Sequence, residues 1–327
     1  MSYLSRIAEV APLITFSSEE LAYYARQLLL PGIGTLGQQK LKAARVLVVG
    51  AGGLGCPVLQ ALAGAGVGHL TIVDGDTVAL SNLARQWLHR HQNLGQNKAE
   101  SAGRALQLLN PFIELQALPE MLTAANAAEL ITSHDVVVDA TDDLQVRYLM
   151  DSVCAAQDRP WVHAALYRES AQFTVFWAGC GARFANMYPD ASDAPSCAGA
   201  GMLGAVASVA ANFQALEVIK LITGNAVPKV GEICSLHAVN LQLQSFKLPN
   251  VSAPHLIIGD EALTAQHAWT LDDLRQAQSI GESVRIIDLR GTNERATGSL
   301  ASSERVSAES ILEADLPASQ KVLLFCE

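Results

Sequence analysis

The sequence predicts an α/β protein with a doubly wound, mainly parallel sheet, an antiparallel extension of that sheet, and a smaller α/β tail. Two observations carry this prediction. In the first half, short apolar segments such as 45–49 and 135–139 alternate with helical patterns, as in a parallel sheet that is buried on both faces. From about residue 170 onward, apolar and polar residues alternate instead, which is typical of antiparallel strands with one face in the core.

The elements of the first half follow one another in a regular order. Ser17 and Glu20 form a capping-box pattern, which predicts a helix to about residue 29. Apolar runs and helical periodicity then predict strands at 45–49, 69–73, 113–117, 135–139 and 161–165, and helices at 38–43, 56–66, 98–109, 124–131 and 144–157. The segment 76–97 is polar and is predicted to be a loop.

The second half begins with a strand predicted over 171–177. A loop over 181–200, a long helix over 201–222 and a hairpin from 230–239 and 241–246 follow. Pro249 and Pro254 mark a linker. We therefore divide the chain into a first domain over 1–248, a linker over 249–262, and a tail over 263–327 with a helix near 271–278 and strands at 284–289 and 322–325.

Composition limits the classes of function. The chain has 327 residues, half of them hydrophobic, which suffices for about two domains. A net charge of −10 without a basic stripe argues against a nucleic-acid partner. The six cysteines lack CxxC spacing and the first 13 residues make a poor signal peptide, so we expect a cytoplasmic protein. Polar residues interrupt the apolar run 197–216, which we interpret as a buried loop and helix rather than a membrane span.

A glycine-rich run joins the first strand to the helix that follows it. The glycines are Gly50, Gly52, Gly53 and Gly55. They permit a tight turn and close approach of the backbone to phosphate, and the helix N-terminus offers free N–H groups to an anion. Asp74 ends the second strand, where a carboxylate can bind the hydroxyls of a ribose. The run predicts a nucleotide site without specifying the nucleotide.

Polar residues from other segments are predicted to join this loop, because ligands bind at the carboxyl edge of an open parallel sheet. Arginine and lysine neutralise phosphate oxygens, and a carboxylate suits Mg²⁺. The set therefore predicts a triphosphate with its metal ion. Its members are Arg26 in the first helix, Asp76, Asn82 and Arg85 in the polar loop, Lys98 at a helix start, and Asp142 after the 135–139 strand.

Each of these residues also has a plainer interpretation. Asp74 can cap the turn that follows it, and Arg26 and Arg85 can be ordinary surface arginines. Lys98 can be a solvated lysine in a first helical turn. Asp142 and its neighbour Asp143 compete for one role, since either can cap the next helix and leave the other for a metal ion.

Together these motifs resemble the MoeB/ThiF/HesA family, the prokaryotic relatives of the ubiquitin-activating enzymes. The resemblance covers about residues 17–248. It rests on Tyr24-Ala-Arg26-Gln27, the glycine run, Asp74-Gly-Asp76, Ser81-Asn82-Leu-Ala-Arg85-Gln86, Gly95-Gln-Asn-Lys98, Asp139-Ala-Thr-Asp142 and Ser196-Cys197-Ala-Gly.

The resemblance implies ATP-dependent adenylation of the C-terminal Gly-Gly carboxylate of a small ubiquitin-like sulfur-carrier protein. Pyrophosphate is released, and a thiocarboxylate is formed later in molybdopterin, thiamine or related sulfur transfer. In that scheme the glycine run cradles ATP and Asp74 binds its ribose. Asn82, Arg85 and Lys98 hold the phosphates, and Asp142 holds Mg²⁺.

The resemblance also implies partners. It implies a homodimer in which Arg26 reaches the triphosphate of the other subunit. It implies a sulfur donor such as a cysteine desulfurase or a rhodanese. Cys197 matches a family cysteine with a thioester or persulfide role, and it can equally be a spectator thiol.

Two features depart from the family pattern. Many members bind structural zinc through two CxxC pairs, but Arg183 and Asn186 stand where the first pair belongs, so no zinc site is expected. The tail resembles the first half of a rhodanese domain in Val284-Arg-Ile-Ile-Asp288-Leu-Arg290 and Lys321-Val-Leu-Leu-Phe-Cys326. The sequence lacks the loop that would stabilise a Cys326 thiolate, so we expect a truncated or degenerate tail without sulfurtransferase activity.

Two other functions stay open on the sequence. The same βαβ unit could serve an NAD-dependent oxidoreductase. The lost zinc cysteines and the partial tail would suit a carrier-binding scaffold without catalysis. The intact set of Arg26, Lys98 and Asp142 favours the adenylyltransferase over both.

Overall fold

The fold is described from a computed structural model, which covers residues 3–189, 201–249, 251, 284–288, 303–305 and 321–325 in describable form. The helices are α1 (Tyr3–Val10), α2 (Ser18–Leu28), α3 (Gly34–Ala43), α4 (Gly55–Ala65), α5 (Lys98–Leu109), α6 (Ala127–Thr132), α7 (Leu144–Ala156), α8 (Phe184–Met187) and α9 (Gly204–Thr223). The strands are β1 (Arg45–Val49), β2 (His69–Val73), β3 (Glu114–Leu118), β4 (Val136–Asp139), β5 (Trp161–Tyr167), β6 (Ser170–Phe176), β7 (Glu232–His237), β8 (Gln242–Lys247), β9 (Val284–Asp288), β10 (Glu304–Arg305) and β11 (Lys321–Phe325).

Strands β1 to β8 form one sheet in the order β3-β2-β1-β4-β5-β6-β7-β8. The pairs from β3 to β5 are parallel, and Val46 of β1 lies level with Leu70 on one side and Val136 on the other. The pairs from β5 to β8 are antiparallel. The predicted doubly wound parallel sheet with an antiparallel extension is confirmed.

Side chains on the central strands alternate between two hydrophobic cores. On β1, Val46 and Val48 belong to the core that contains α4, α5 and α9, whereas Leu47 and Val49 belong to the core that contains α6 and α7. Since both faces of the strand are buried, every position after Arg45 is apolar, and the alternation typical of a half-exposed strand is absent there. The open side of this arrangement is the carboxyl edge of the strands.

Helix α9 runs through the core of the first domain, residues 1–248. By length and composition it is the one described helix that could cross a membrane. It packs against α3, α4, β5 and β6, and it buries Gln214 and Glu217. Nε2 of Gln214 donates to the carbonyl oxygens of Asp139 (2.6 Å) and Val162 (3.2 Å). Such contacts are typical of a helix in the core of a protein. They agree with the interpretation that the helix of the apolar run 197–216 is buried and is not a membrane span.

Most element boundaries agree with the prediction to within a few residues, and the capping box of Ser17 and Glu20 is present at the start of α2. Helix α1 was not predicted. Its Arg6 pairs with Asp135 and donates to the carbonyl oxygen of Ala43 (2.8 Å), so long-range contacts hold a segment with no capping signal. The predicted loop over 181–200 begins with the helical turn α8, and residues 190–200, including Cys197, lie outside the described residues.

An ion pair occupies the position where the family pattern places its first zinc cysteines. Nη2 of Arg183 lies 2.9 Å from Oδ2 of Asp151 in α7, and Oδ1 of Asp151 accepts from the backbone N–H of Phe184 (2.9 Å). The buried ring of Phe184 packs against Trp161. In this part of the protein, a carboxylate and an aromatic ring therefore connect α8 to α7 and the sheet.

Strands β9, β10 and β11 form a separate parallel sheet in the order β10-β9-β11, with Val284 level with Lys321. The strands predicted at 284–289 and 322–325 are confirmed to within one residue. The helix predicted near 271–278, most of the linker over 249–262, and Cys326 lie outside the described residues, so the boundaries of the linker and tail stay predictions.

Candidate active site at the carboxyl edge of the sheet

A cavity of about 700 Å³ opens at the carboxyl edge of β1, β2 and β4. It brings together most of the residues that the sequence analysis selected. The predicted residues in its lining are Gly50, Gly52, Gly53, Asp74, Asp76, Asn82, Arg85, Lys98 and Asp142. The predicted crevice is therefore present within one chain, and of the predicted residues Gly55, Arg26 and Cys197 are not in its described lining.

The glycine run shapes one wall of the cavity. Gly50 has φ +103°, and a Cβ there would lie 2.6 Å from the carbonyl oxygen of Ala140; a Cβ on Gly55 would lie 2.1 Å from the carbonyl oxygen of Gly50. These two glycines let the backbone turn and let α4 approach β4. Gly52 and Gly53 have no such crowding, with nearest neighbours at 3.6 and 3.5 Å. Their backbone is open to a ligand in the cavity.

Three side chains hold Ala51, in the middle of the glycine run. Its N–H donates to Oδ2 of Asp74 (2.7 Å). Its carbonyl oxygen accepts from Nε2 of His89 (3.0 Å) and from the thiol of Cys56 (3.3 Å). Burial lowers the pKa of His89, so the ring is neutral near pH 7, and its Nδ1 accepts from the hydroxyl of Ser101 (2.9 Å). Sequence reasoning missed His89, because it lies in a loop without periodicity.

Asp74 performs the plainer of its two predicted roles. Its Oδ1 accepts from the N–H of Asp76 (2.8 Å), so it caps the turn after β2 as well as holding Ala51. Each carboxylate oxygen has room for a second hydrogen bond. Ribose binding is therefore compatible with both contacts.

The cations of the cavity are held in place by neighbours. Lys98 is only 8 % exposed, and its Nζ lies 2.7 Å from Oδ2 of Asp76. Its interpretation as a solvated lysine is therefore wrong. Nη1 of Arg85 donates to the carbonyl oxygen of Ser81 (2.9 Å), and Oδ1 of Asn82 accepts from the N–H of Ala79 (3.1 Å). The remaining donors of Arg85 and Asn82 have no acceptor within the described ranges and can bind a ligand.

The competition between Asp142 and Asp143 is resolved. Oδ1 of Asp143 accepts from the N–H groups of Gln145 (2.8 Å) and Val146 (3.3 Å), which makes Asp143 the N-cap of α7. Asp142 is exposed to the cavity, and no described residue donates to it. One carboxylate caps the helix, and the other is left for a ligand or a metal ion.

A buried ion network lies directly behind Asp142. Asp139 is fully buried; its Oδ1 accepts from the N–H of Thr141 (3.0 Å), and its Oδ2 accepts from Nε of Arg147 (3.0 Å) and Nδ1 of His163 (2.6 Å). Nη2 of Arg147 donates to the carbonyl oxygen of Thr141 (2.6 Å). Burial alone would raise the pKa of Asp139, but Arg147 and His163 hold it below its usual value. Sequence reasoning missed Arg147 and His163, which lie inside an ordinary helix and strand.

The donors and acceptors of the cavity fit a nucleoside triphosphate. Oε1 of Gln86 is buried with no hydrogen-bond partner among the described residues, so it is an acceptor that lacks a donor. The apolar side chains of Val73 and Leu122 line the same cavity and offer a surface for a flat base. With the open glycine run, the cations Arg85 and Lys98, and an Asp142 carboxylate that has no partner among the described residues, the set can hold a base, a polyphosphate and a hard metal ion.

Three predicted residues are not in the described lining of this cavity. Gly55 is buried at the start of α4, against the carbonyl oxygen of Gly50. Arg26 is exposed in the last turn of α2 and does not line it. Cys197 lies outside the described residues. Their predicted roles stay predictions.

The chain is similar to known proteins in sequence and in fold. The sequence profile of the ThiF family matches residues 24–255. The chain is 35% identical over 302 residues to a probable adenylyltransferase/sulfurtransferase MoeZ of Mycobacterium tuberculosis, covering 86% of this chain and 77% of that one, and a match of this extent continues past Leu248. It is 37% identical over 255 residues to a sulfur carrier protein adenylyltransferase of Thermus thermophilus, covering 75% and 93%.

The fold is also found among solved structures. That of E. coli MccB with ATP matches with a TM-score of 0.62 over 72% of this chain and 74% of that one, at 22% identity. At this identity the likeness concerns the fold alone. Because the family profile and the relatives agree over most of its length, the chain belongs to the ThiF family, and it is an adenylyltransferase.

Proposed function

We propose that this enzyme adenylates the C-terminal carboxylate of a small ubiquitin-like sulfur-carrier protein that ends in Gly-Gly, using ATP and releasing pyrophosphate. The observation that carries the proposal is the carboxylate of Asp142, which no described residue pairs with, in one cavity with Lys98, Arg85 and the open glycine run. The names of the T. thermophilus and M. tuberculosis relatives support it. The product would precede thiocarboxylate formation in molybdopterin, thiamine or related sulfur transfer.

The chemistry needs charge compensation rather than acid–base catalysis. A carboxylate oxygen of the carrier attacks the α-phosphorus of ATP, the bond to the β-phosphate oxygen breaks, and pyrophosphate leaves with the electron pair. Arg85, Asn82 and Lys98 would hold the phosphates and stabilise this negative charge. The pairing of Lys98 with Asp76 holds the ammonium group in the cavity before a nucleotide arrives, so little reorganisation is needed.

Asp74 would orient the nucleotide through its ribose, and Asp142 would hold Mg²⁺. When bound, the metal ion would neutralise charge on the phosphates. Asp142 suits this role because its loop is fixed by the network of Asp139 and Arg147, while its own oxygens accept no hydrogen bond from the described part of the chain. The oxidoreductase alternative leaves Lys98 and Arg85 without a role, since hydride transfer does not need cations facing a free carboxylate.

The exposed position of Arg26 supports the homodimer. A residue that does not line the cavity of its own chain can serve only from another subunit or not at all. We propose that Arg26 reaches the triphosphate in the partner subunit. A cysteine desulfurase or a rhodanese would supply the sulfur, and the cytoplasm stays our expectation for the compartment.

Cys197 belongs to the later step in this scheme. We expect Cys197→Ala to leave adenylation within about twofold of wild type and to slow only thiocarboxylate formation. Pyrophosphate exchange and thiocarboxylate formation, measured on the same preparation, check this. Loss of the exchange reaction would contradict the assigned order of steps.

The test of the proposed function is ATP–pyrophosphate exchange with each Gly-Gly carrier from the same genome. One or more carriers should support exchange, and the same carrier without its last glycine should not. Absence of exchange with every carrier, together with tight NAD binding, would overturn the proposal in favour of the oxidoreductase. Carrier binding without exchange would favour the non-catalytic scaffold.

A further inference from the structure

A second cavity lies beside the candidate active site, on the antiparallel half of the sheet. It has a volume of about 380 Å³. Arg147 and Leu166 line both cavities, so the two spaces adjoin at these side chains. The other side chains around the second cavity are mostly neutral, among them Ser170, Gln172 and Ser235 from β6 and β7. Nothing in the adenylation scheme uses this space.

His163 is the one titratable group other than Arg147 and the tyrosines in its described lining. The side chain is 2 % exposed, and its ring packs edge-on to Trp161 (5.7 Å between centroids) and Phe184 (5.4 Å). Nδ1 lies 2.6 Å from Oδ2 of Asp139. The nitrogen left for a ligand in the second cavity is therefore Nε2, for which no described residue is a hydrogen-bond partner.

The protonation of the ring follows from its surroundings. Asp139 is a carboxylate, held so by Arg147, and a carboxylate can only accept a hydrogen bond. Nδ1 must then carry the proton. Burial lowers the pKa of His163, so the ring is neutral near pH 7 and Nε2 has a free lone pair. The second cavity therefore presents a fixed acceptor, buried and oriented by a carboxylate on its other nitrogen, as a general base requires.

We propose that the second cavity admits the nucleophile of the next half-reaction, a neutral molecule or group with an S–H or N–H bond, and that His163 accepts its proton. This inference rests on the proposed function, because that function supplies the acyl-adenylate. The sulfur or nitrogen atom attacks the carbonyl carbon of the acyl-adenylate and forms a new bond to it. The bond from that carbon to the phosphate oxygen breaks, AMP leaves with the electron pair, and the proton passes to Nε2.

His163→Asn is the variant that isolates this role. The side-chain amide of asparagine can replace Nδ1–H as a donor to Asp139. The substitution nevertheless removes Nε2, the nitrogen proposed to accept the proton. His69→Asn is the matched control, because His69 is partly exposed and lies in neither cavity lining. Dithiothreitol and glycinamide are the probes, and they separate a thiol nucleophile from an amine.

Two rates decide the question, measured on the full chain with a carrier that supports pyrophosphate exchange. We expect His163→Asn to keep exchange within about twofold of wild type and to slow AMP release by dithiothreitol or glycinamide at least tenfold, since a general base typically contributes about 10²–10⁴. Hydroxylamine, which needs no base, should release AMP equally from both proteins. Unchanged release by both probes overturns the proposal. An equal loss of pyrophosphate exchange and of AMP release also overturns the proposal, because His163 would then be needed for folding or for binding of the carrier.

A measurement without any carrier tests the same proposal independently. In ¹⁵N-histidine-labelled protein, the signal that disappears in His163→Asn should show Nδ1 protonated and Nε2 unprotonated at pH 7.5. A proton on Nε2 would contradict the proposal even if the adenylation chemistry is correct. If no carrier supports pyrophosphate exchange but His163 has the expected tautomer, the result would instead count against the proposed function.

Discussion

The two halves of the main sheet are built differently and carry different chemistry. In the parallel half, the central strands β1 and β4 are buried on both faces, and within these two strands the polar side chains stand only at the ends. In the antiparallel half, β8 is exposed along its whole length, and polar residues such as His163 and Thr174 sit within strands. The charged cavity belongs to the first half and the nearly neutral cavity to the second.

This difference determines where charged groups and single polar groups can lie on the sheet. A parallel strand covered by helices on both faces can display a charge only at its end, so charges gather at one edge and suit a polyphosphate. An antiparallel strand has a less crowded face, on which single polar groups can line a small cavity. Arg147 lines both cavities, and its buried partner Asp139 lies at the end of β4, where the two halves meet.

We expect the greatest loss of activity from a substitution at the carboxyl edge of the parallel strands. Asp142→Ala should reduce carrier-dependent pyrophosphate exchange by at least about 100-fold, because the site loses the carboxylate assigned to Mg²⁺. The free energy of unfolding should barely change, since no described residue donates to Asp142. Exchange assays and urea denaturation check both statements.

Asp143→Ala is the matched control for that variant. It removes the N-cap of α7, so it should cost about 0.5–2 kcal/mol of unfolding free energy while exchange stays within a few-fold of wild type. Near-normal exchange in Asp142→Ala, or loss of exchange in Asp143→Ala alone, would mean that the two roles are assigned the wrong way round.

The second expected effect concerns the backbone of the glycine run. Gly50→Ala places a Cβ 2.6 Å from a carbonyl oxygen in a conformation with φ +103°, so it should destabilise the protein by more than about 1 kcal/mol and weaken ATP binding. Gly64→Ala, inside α4 with nothing within 4 Å of its Cβ, should instead stabilise by roughly 0.5–1 kcal/mol. Urea denaturation compares the two, and equal effects would refute the steric argument.

A third effect concerns the contact between α7 and α8, away from the charged cavity. Arg183→Ala leaves the buried carboxylate of Asp151 with only the N–H of Phe184, which should cost about 1–3 kcal/mol of unfolding free energy. Exchange at 25 °C should not change. Arg104→Ala removes an exposed pair with Glu100 and should cost about 0.5 kcal/mol or less. A fall in exchange in Arg183→Ala would show that the two halves are more tightly coupled than we expect.

The smallest effect is a dependence of stability on pH. Burial lowers the pKa values of His163, His134 and His89 in the folded protein. The unfolded chain therefore binds more protons, and the free energy of unfolding should fall as the pH drops below the ordinary histidine value of about 6.5. Urea midpoints at pH 7.5, 6.5 and 5.5 measure this. His163→Asn should flatten the decline, and a stability that rises toward pH 5.5 would contradict the assignment.

The doubly wound sheet with its antiparallel extension, and most of the polar residues at the carboxyl edge of that sheet, could be predicted from the sequence, because both follow from local signals. Apolar runs mark strands buried on both faces, and a glycine run, a strand-end Asp74 and a helix-start Lys98 stand at topologically fixed points. The sequence could not predict which of Asp142 and Asp143 caps α7, since both fit the position. It could not predict Arg147, His163 or His89, whose partners are remote in sequence, nor α1, which depends on the contact of Arg6 with Asp135.

Asp139 connects three elements of the core. The carboxylate and carbonyl of Asp139 are bonded by three elements at once, through Arg147 of α7, His163 of β5 and Gln214 of α9. Substitutions at these three positions will not be independent, since each alters the partner that the others share. A double-mutant cycle between Arg147 and Gln214 should show a coupling energy of about 0.5–3 kcal/mol. Variation at this point is expected to be accepted in sets rather than one residue at a time.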